Sequence, residues 1–207
     1  NAFIGSIADE NERLKRSLQA LLNTIRLDRF AADFKLEPVH LPDIARQVIN
    51  DYRHAFIAYK VFPKMEPPAP NLPTERLVVY SDAKWLRLIL EQIVSNAVKY
   101  SSRPDGEGKV SIRFDLDDGD TVLEVADDGI GIPPEDLGRI FDPFFTGAAG
   151  RTHPGSTGLG LYLANEACRR LGHRLSVRSA PGRGTQVRIR FTRDSSLFAD
   201  LRDVATT

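Results

Sequence analysis

Three short patterns in this sequence place residues that could do chemistry. The first is a helical stripe. Over residues 83–100, Gln92, Asn96 and Lys99 fall within about 60° of one another on a helical wheel, beside an apolar arc of Leu86, Ile89, Ile93 and Ala97. Two amide oxygens and an ammonium on one line can coordinate a divalent cation and meet phosphate oxygens. A solvated helix edge would carry the same residue types. The second pattern is Val125-Ala-Asp127-Asp128-Gly129-Ile130-Gly131-Ile132, an apolar strand ending in a carboxylate and two spaced glycines. A strand-end carboxylate can accept from an exocyclic amine, and the glycines let backbone approach a flat ring closely. A plain Asp-Gly turn is the alternative, but here the glycines lead into Pro133-Pro134 and a helix instead of a second hairpin strand. The third is Gly155-Ser-Thr-Gly158-Leu-Gly160-Leu161, which opens a helix with free N–H groups suited to phosphate. It is neither a P-loop nor the dinucleotide fingerprint.

The elements that must position these patterns are legible from periodicity. Ile4, Ile7, Asn11, Leu14, Leu18, Leu21, Ile25 and Asp28 form a heptad seam, which predicts a helix over 4–28 that pairs with another helix. An amphipathic helix packed on its own domain is the alternative. A loop follows at 31–40, then one helix from Pro42 to about Ala58. Five prolines between Pro63 and Pro73 predict a loop between two short edge strands, the second at Leu77–Tyr80. Ser81 and Asp82 offer an N-cap to the helix carrying the stripe. Lys109–Asp115 and Thr121–Ala126 read as a hairpin, a short helix spans Pro134–Ile140, and 142–157 is loop. A helix over Leu159–Leu171 stops at Gly172, and Arg174–Arg178 with Gln186–Thr192 forms a second hairpin around Pro181-Gly-Arg-Gly184. The sum is a mixed, largely antiparallel sheet with helices on one face, behind a helical stalk.

Composition narrows the class further. The chain has 207 residues, enough for one full domain and an appendage. At 42% hydrophobic and 27% charged it reads as globular, not disordered. Lys plus Arg (28) cancel Asp plus Glu (28), which argues against a broad nucleic-acid or anionic-membrane surface. A single cysteine, Cys168, excludes an internal disulfide framework, fits a reducing compartment and reads as a small core residue. No apolar run reaches membrane-spanning length, and the opening residues lack a signal-peptide layout, so a soluble chain or the soluble part of something larger is expected.

In this order the patterns resemble the sensor histidine kinases, within the ATPase family that also includes gyrase and the Hsp90 chaperones. Glu91-Gln-Ile-Val-Ser-Asn96-Ala-Val-Lys99-Tyr100-Ser resembles the N box, and Asp127-Asp-Gly-Ile-Gly131 the first glycine box. Ile140-Phe141-Asp-Pro-Phe144-Phe145 resembles the F box, Ser156-Thr-Gly158-Leu-Gly160-Leu the second glycine box, and Gly182-Arg-Gly184-Thr185 the closing turn. Asp82-Ala-Lys-Trp85, Phe145-Thr-Gly147 and Ser156-Thr-Gly158 are similar to the subgroup that senses cell-envelope antibiotics beside an ABC transporter.

The resemblance implies an α+β fold of the Bergerat-type sandwich, preceded by a long dimerisation helix. Residues 1–38 would hold the second helix of a dimerisation and phosphotransfer hairpin, 39–193 the ATP-binding catalytic domain, and 194–207 a tail. Asp127 would accept from the adenine amine with Thr185 close by. Asn96, helped by Gln92, would hold Mg²⁺ against the phosphates of ATP, and Lys99 would meet phosphate. Tyr100 would pack along adenine, Gly129 and Gly131 would shape its pocket, and Gly158 and Gly160, with Thr157 and Leu159 between and before them, would cradle phosphate. The 146–157 loop would be a lid, with Arg151 a phosphate contact. Implied partners are a second copy through the N-terminal helix, a response regulator and an ABC transporter, with no nucleic acid. The implied setting is the cytoplasmic portion of a bacterial membrane protein.

There are departures. Gln92 stands where the kinases more usually have Asn and the hydrolysing relatives a glutamate base; an uncharged amide cannot be that base, which favours a kinase. Ser156 replaces the usual first glycine, and Asp128 a frequent Asn, bringing an extra charge toward the triphosphate. The acceptor is missing: the histidines at 40, 54, 153 and 173 precede Leu, Ala, Pro and Arg, and none has the acidic follower of a phosphoacceptor. His40 and His54 read as surface residues, His153 as part of the lid and His173 as a residue past a helix end. A serine kinase of the anti-sigma type and a degenerate nucleotide-binding module are the rival readings.

Overall fold

The computed structural model describes residues 34–101, 106–147, 150 and 156–192. The expected 4–28 helix, Arg151, His153 and the 194–207 tail lie outside the described residues.

The chain enters through β1 (Glu37–His40), inside the stretch expected to be loop. That expectation fails because β1 is stabilised only at long range. It pairs antiparallel with β3 (Val78–Ser81), Val39 opposite Val79, in a separate two-stranded ribbon. The expected single helix to Ala58 is two, α1 (Leu41–Asp51) and α2 (Arg53–Ala58). Hydrogen bonds carry across the bend, from the Tyr52 N–H to the Val48 carbonyl and from the Phe56 N–H to the Tyr52 carbonyl. Tyr52 itself sits near ψ 7°, with its side chain hydrogen-bonded to Ser95. Leu41, Ile44, Ala45 and Val48 keep one buried face throughout α1, at the spacing of a helix packed on its core.

The second difference is in the strands around the prolines. β2 (Val61–Met65) does not share a sheet with β3; it pairs parallel with β4 (Gly108–Asp117), Pro63 opposite Val110, at the edge of a five-stranded sheet. An edge is where a strand proline is tolerated. The order is β2-β4-β5-β7-β6, with β5 (Asp120–Asp127), β6 (Arg174–Ser179) and β7 (Thr185–Phe191) all antiparallel to their neighbours. α3 (Ala83–Ser101), the short α4 (Pro134–Leu137) and α5 (Gly160–Arg170) complete the set.

α3 and α5 cover one sheet face. Trp85, Leu86, Ile89 and Ile93 of α3, with Leu163, Ala167 and Cys168 of α5, are buried in one cluster with Val110, Ile112, Leu123, Val125 and Ile189 of the strands. Burial pushes the Cys168 thiol well up, as expected of an inert core residue. The other face alternates outward and carries charge: Arg190 pairs with Asp117 at 2.6 Å, and Arg113 with Glu66 at 3.3 Å. Asp82 caps α3, accepting the Trp85 N–H on Oδ1 at 3.0 Å and the Lys35 N–H on Oδ2 at 2.7 Å. The α5 end is closed by Gly172 (φ 70°), where the His173 N–H reaches the Cys168 carbonyl at 2.8 Å. His173, just past that helix end as expected, is buried. It is 6% exposed, with Nε2 2.9 Å from the Ser81 hydroxyl and its ring edge-on to Phe191 at 4.8 Å.

Candidate functional site

A cavity of about 630 Å³ opens between α3, the C-terminal end of β5 and the segment leading into α5. Gln92, Asn96, Lys99, Tyr100, Asp127, Gly131, Thr157, Gly158, Gly160 and Thr185 all line it. Ten of the thirteen residues singled out in the sequence therefore meet in one place. Gly129 lies behind the wall: a Cβ there would come 2.3 Å from the Tyr100 carbonyl oxygen. Leu159 turns into the core at 4% exposed, its N–H donating to the Thr157 hydroxyl at 3.3 Å. Arg151 lies outside the described residues. No site role was expected for Tyr52, Ile132, Ile140, Phe145 and Pro181, which supply much of the apolar lining. Ile132, Ile140, Phe145 and Pro181 lie in or beside the boxes and turns named above, whereas Tyr52 had no signal beyond its place on an amphipathic helix.

The loop after β5 is clamped on all sides. The Ile130 N–H donates to the Tyr100 carbonyl at 3.2 Å, the Gly182 N–H to the Ile130 carbonyl at 2.7 Å, and the Ile132 N–H to the Ser179 hydroxyl at 2.8 Å. Gly131 (φ 71°) passes so close to the β6–β7 turn that a Cβ would sit 1.9 Å from the Ala180 oxygen. This clamp holds Asp127 at the cavity wall. Its Oδ1 accepts two backbone N–H groups, from Gly129 at 2.9 Å and Thr185 at 3.2 Å. Among the described residues no protein donor occupies Oδ2. Asp128 turns the other way, its carboxylate accepting the Lys109 N–H at 2.8 Å on β4. It does not line the cavity, so the expected extra charge near a bound phosphate chain is absent from the wall.

Burial raises the Asp127 carboxyl from 3.8 to about 6; the two backbone bonds oppose the rise and the Asp128 charge adds to it. Burial lowers the His173 imidazole from 6.5 to about 4. These shifts act oppositely on stability. Between pH 3.8 and 6 the folded chain holds the Asp127 proton more tightly than the unfolded chain, so acidification stabilises. Between pH 4 and 6.5 the unfolded chain protonates His173 while the folded chain resists, so acidification destabilises. Asp127→Asn leaves the histidine effect unopposed. The variant is expected to lose about 2 kcal/mol between pH 7 and pH 5, while the parent loses well under half as much. Urea unfolding at both pH values measures this; parallel pH profiles would refute the opposed titrations.

The stripe on α3 faces the start of α5. A Cβ on Gly160 would lie 2.9 Å from Gln92 Oε1 and 3.8 Å from Asn96 Nδ2, so backbone and amides are in close register. Lys99 Nζ donates to the Ser156 hydroxyl and lies 4.8 Å from the Tyr100 ring centroid. A cation, two amides and the start of a helix thus share one part of the cavity, and the Asp127 carboxylate lies among close-packed glycines in another. Such a site suits a flat amine-bearing ring joined to phosphates.

Fold and site together define a nucleotide-binding α/β sandwich. Residues 81–195 match the family described as histidine kinase-, DNA gyrase B-, and HSP90-like ATPase. The chain is 42% identical over 185 residues to the sensor histidine kinase YxdK of Bacillus subtilis, covering 89% of this chain and 54% of that one. It is 34% identical over 197 residues to the sensor protein BceS of Halalkalibacterium halodurans, covering 95% and 56%. The crystal structure of full-length ShkA in complex with AMPPNP superposes with a TM-score of 0.70 at 26% identity, over 88% of this chain and 36% of that one. The chain belongs to this ATPase family. It spans about half the length of the curated relatives it matches. Among the described residues no helix is long and apolar enough to cross a membrane.

Proposed function

We propose that this chain binds Mg²⁺-ATP and presents its γ-phosphoryl group to a histidine on a helix that the chain does not contain. The observation that carries the reading is the Asp127 carboxylate: one oxygen is fixed by two backbone donors and the other is left for an exocyclic amine. Thr185 stands beside it, and Tyr100 and Gly131 line the cavity between Asp127 and the α3 stripe. Lys99 supplies the cation for phosphate, Gly158 and Gly160 the close-lying backbone, with Thr157 on the same segment. Arg151 joins them as a lid contact.

The magnesium site is supported by its donor chemistry. Gln92 and Asn96 present amides on one helical stripe in the cavity wall, and amide oxygens suit a hard cation that keeps most of its shell as water and phosphate oxygen. When bound, magnesium would neutralise phosphate charge. Gln92, uncharged, cannot deprotonate water, so its amide orients without activating a hydrolytic nucleophile.

The reading extends to the whole protein. Residues 1–38 supply one helix of a dimerisation hairpin, and Leu18 and Leu21 lie on its seam. Residues 39–193 are the catalytic domain and 194–207 a tail. The phosphohistidine passes its group to an aspartate of a response regulator. Membrane attachment and pairing with an ABC transporter follow from the likeness to the antibiotic-sensing subgroup.

The test uses γ-labelled ATP. Alone, the chain is expected to bind ATP yet neither label itself nor hydrolyse ATP appreciably, because no acceptor lies in line. Adding the missing hairpin helix with its histidine should restore labelling with an acid-labile, alkali-stable phosphoramidate. Acid-stable label on the bare chain would replace this reading with the serine kinase. ATP binding without labelling of the completed protein would replace it with the degenerate module.

A further inference from the structure

Ser156 stands where the sensor kinase box more usually has glycine, and the structure gives its hydroxyl a partner: the Lys99 ammonium. We propose that Ser156 is a latch whose hydroxyl competes with nucleotide phosphate oxygens for Lys99, and so sets the affinity of the site for phosphorylated ligands. The proposal rests on the nucleotide reading given above.

The geometry makes the competition direct. Residues 156–160 run along the polar stripe of α3, with Gly160 against Gln92 and Asn96 and Ser156 against Lys99, one turn further on. The segment cannot slide away freely. Gly158 is packed on the F-box backbone, where a Cβ would come 2.4 Å from the Phe144 carbonyl carbon. Its position in the chain therefore keeps Ser156 over the ammonium. The Lys99 ammonium also lies over the Tyr100 ring, 4.8 Å from its centroid. Ser156, Lys99 and Tyr100 all line the cavity, at the end assigned to phosphate. A phosphate oxygen is the stronger partner for an ammonium than a neutral hydroxyl. The ammonium has three N–H donors, so the hydroxyl has to yield only where a phosphate oxygen takes the place it holds, and that displacement is the cost of the latch. Apparent affinity is multiplied by the fraction of molecules that are unlatched; a latch closed in about 70–90% of molecules weakens binding about three- to tenfold. A glycine at 156 has no hydroxyl and imposes no such cost. A ligand without phosphates never needs Lys99 and is indifferent to the latch.

Calorimetric titration of the 207-residue chain with ATP and with adenosine tests this. Ser156→Ala should bind ATP about three- to tenfold more tightly, with adenosine affinity unchanged, and Ser156→Thr, which keeps a hydroxyl, should resemble the parent. In a Lys99→Met background, Ser156→Ala should have no effect on ATP. Unchanged or weaker ATP binding by Ser156→Ala would overturn the latch while leaving the nucleotide site standing. So would equal tightening for adenosine, or a gain that persists without Lys99. If neither parent nor variant bound ATP or adenosine, the nucleotide reading would fail and the latch with it.

Discussion

Asp127→Asn is expected to bind ATP ten- to a hundredfold more weakly than the parent at neutral pH, with the fold retained. The parent carboxylate has one oxygen committed to the Gly129 and Thr185 N–H groups and one to give to an adenine amine. An asparagine can keep its carbonyl on the two backbone donors, but then turns an NH₂ toward the ring, donor against donor. If it flips, the backbone donors lose their acceptor in a half-buried site. Either way a charge-assisted bond worth about 1.5–3 kcal/mol is lost, which gives the stated range of affinity. The same substitution should narrow discrimination against GTP, whose ring carries a carbonyl where adenine carries its amine. Titration with both nucleotides measures it. Undiminished ATP affinity in a folded variant would remove Asp127 from the adenine contact.

Gly184→Ala should be one of the most damaging single methyls in the described chain, alongside Gly131→Ala. Gly184 holds φ 75°, and a Cβ there would lie 1.9 Å from the Asp127 carbonyl oxygen and 2.9 Å from the Asp128 Cα. Both obstacles are backbone, so no side chain can rotate to make room. The left-handed conformation costs a substituted residue about 1–2 kcal/mol, and forcing the strands apart adds about 1–3 kcal/mol. Gly182 is the internal control: φ 72° in the same turn, but nothing within 4 Å of its Cβ. Gly182→Ala should cost the conformational part alone, about 1–2 kcal/mol. The difference should appear as a lower urea midpoint for Gly184→Ala, accompanied by weaker ATP binding because the clash displaces Asp127. Equal losses for the two variants would mean that the turn, and not the approach to β5, decides the need for glycine.

What the sequence determined by itself was everything that depends on near neighbours. The stripe of Gln92, Asn96 and Lys99 follows from helical period, the Asp82 cap and Gly172 stop from local hydrogen bonding, and the two antiparallel hairpins from alternation around short turns. Box order then identified ten cavity-lining residues scattered over about half the chain. Tertiary structure decided the rest. β1 was invisible because four residues, one of them Pro38, carry no periodic signal until β3 supplies the partner. The parallel pairing of β2 with β4 joins segments more than forty residues apart, and no local pattern encodes such a register. His173 reads as a residue past a helix end, and only packing of Ser81 and Phe191 around it makes it a buried tie. Asp128 and Asp127 are adjacent carboxylates, yet the pleat sends one to Lys109 on the sheet and the other into the cavity. Its raised proton affinity comes from that burial. Local sequence encodes period, caps and turns because their bonds close within a few residues. Desolvation, register and the contact between Ser156 and Lys99 depend on what distant parts of the chain bring alongside, and exist only once the chain has folded.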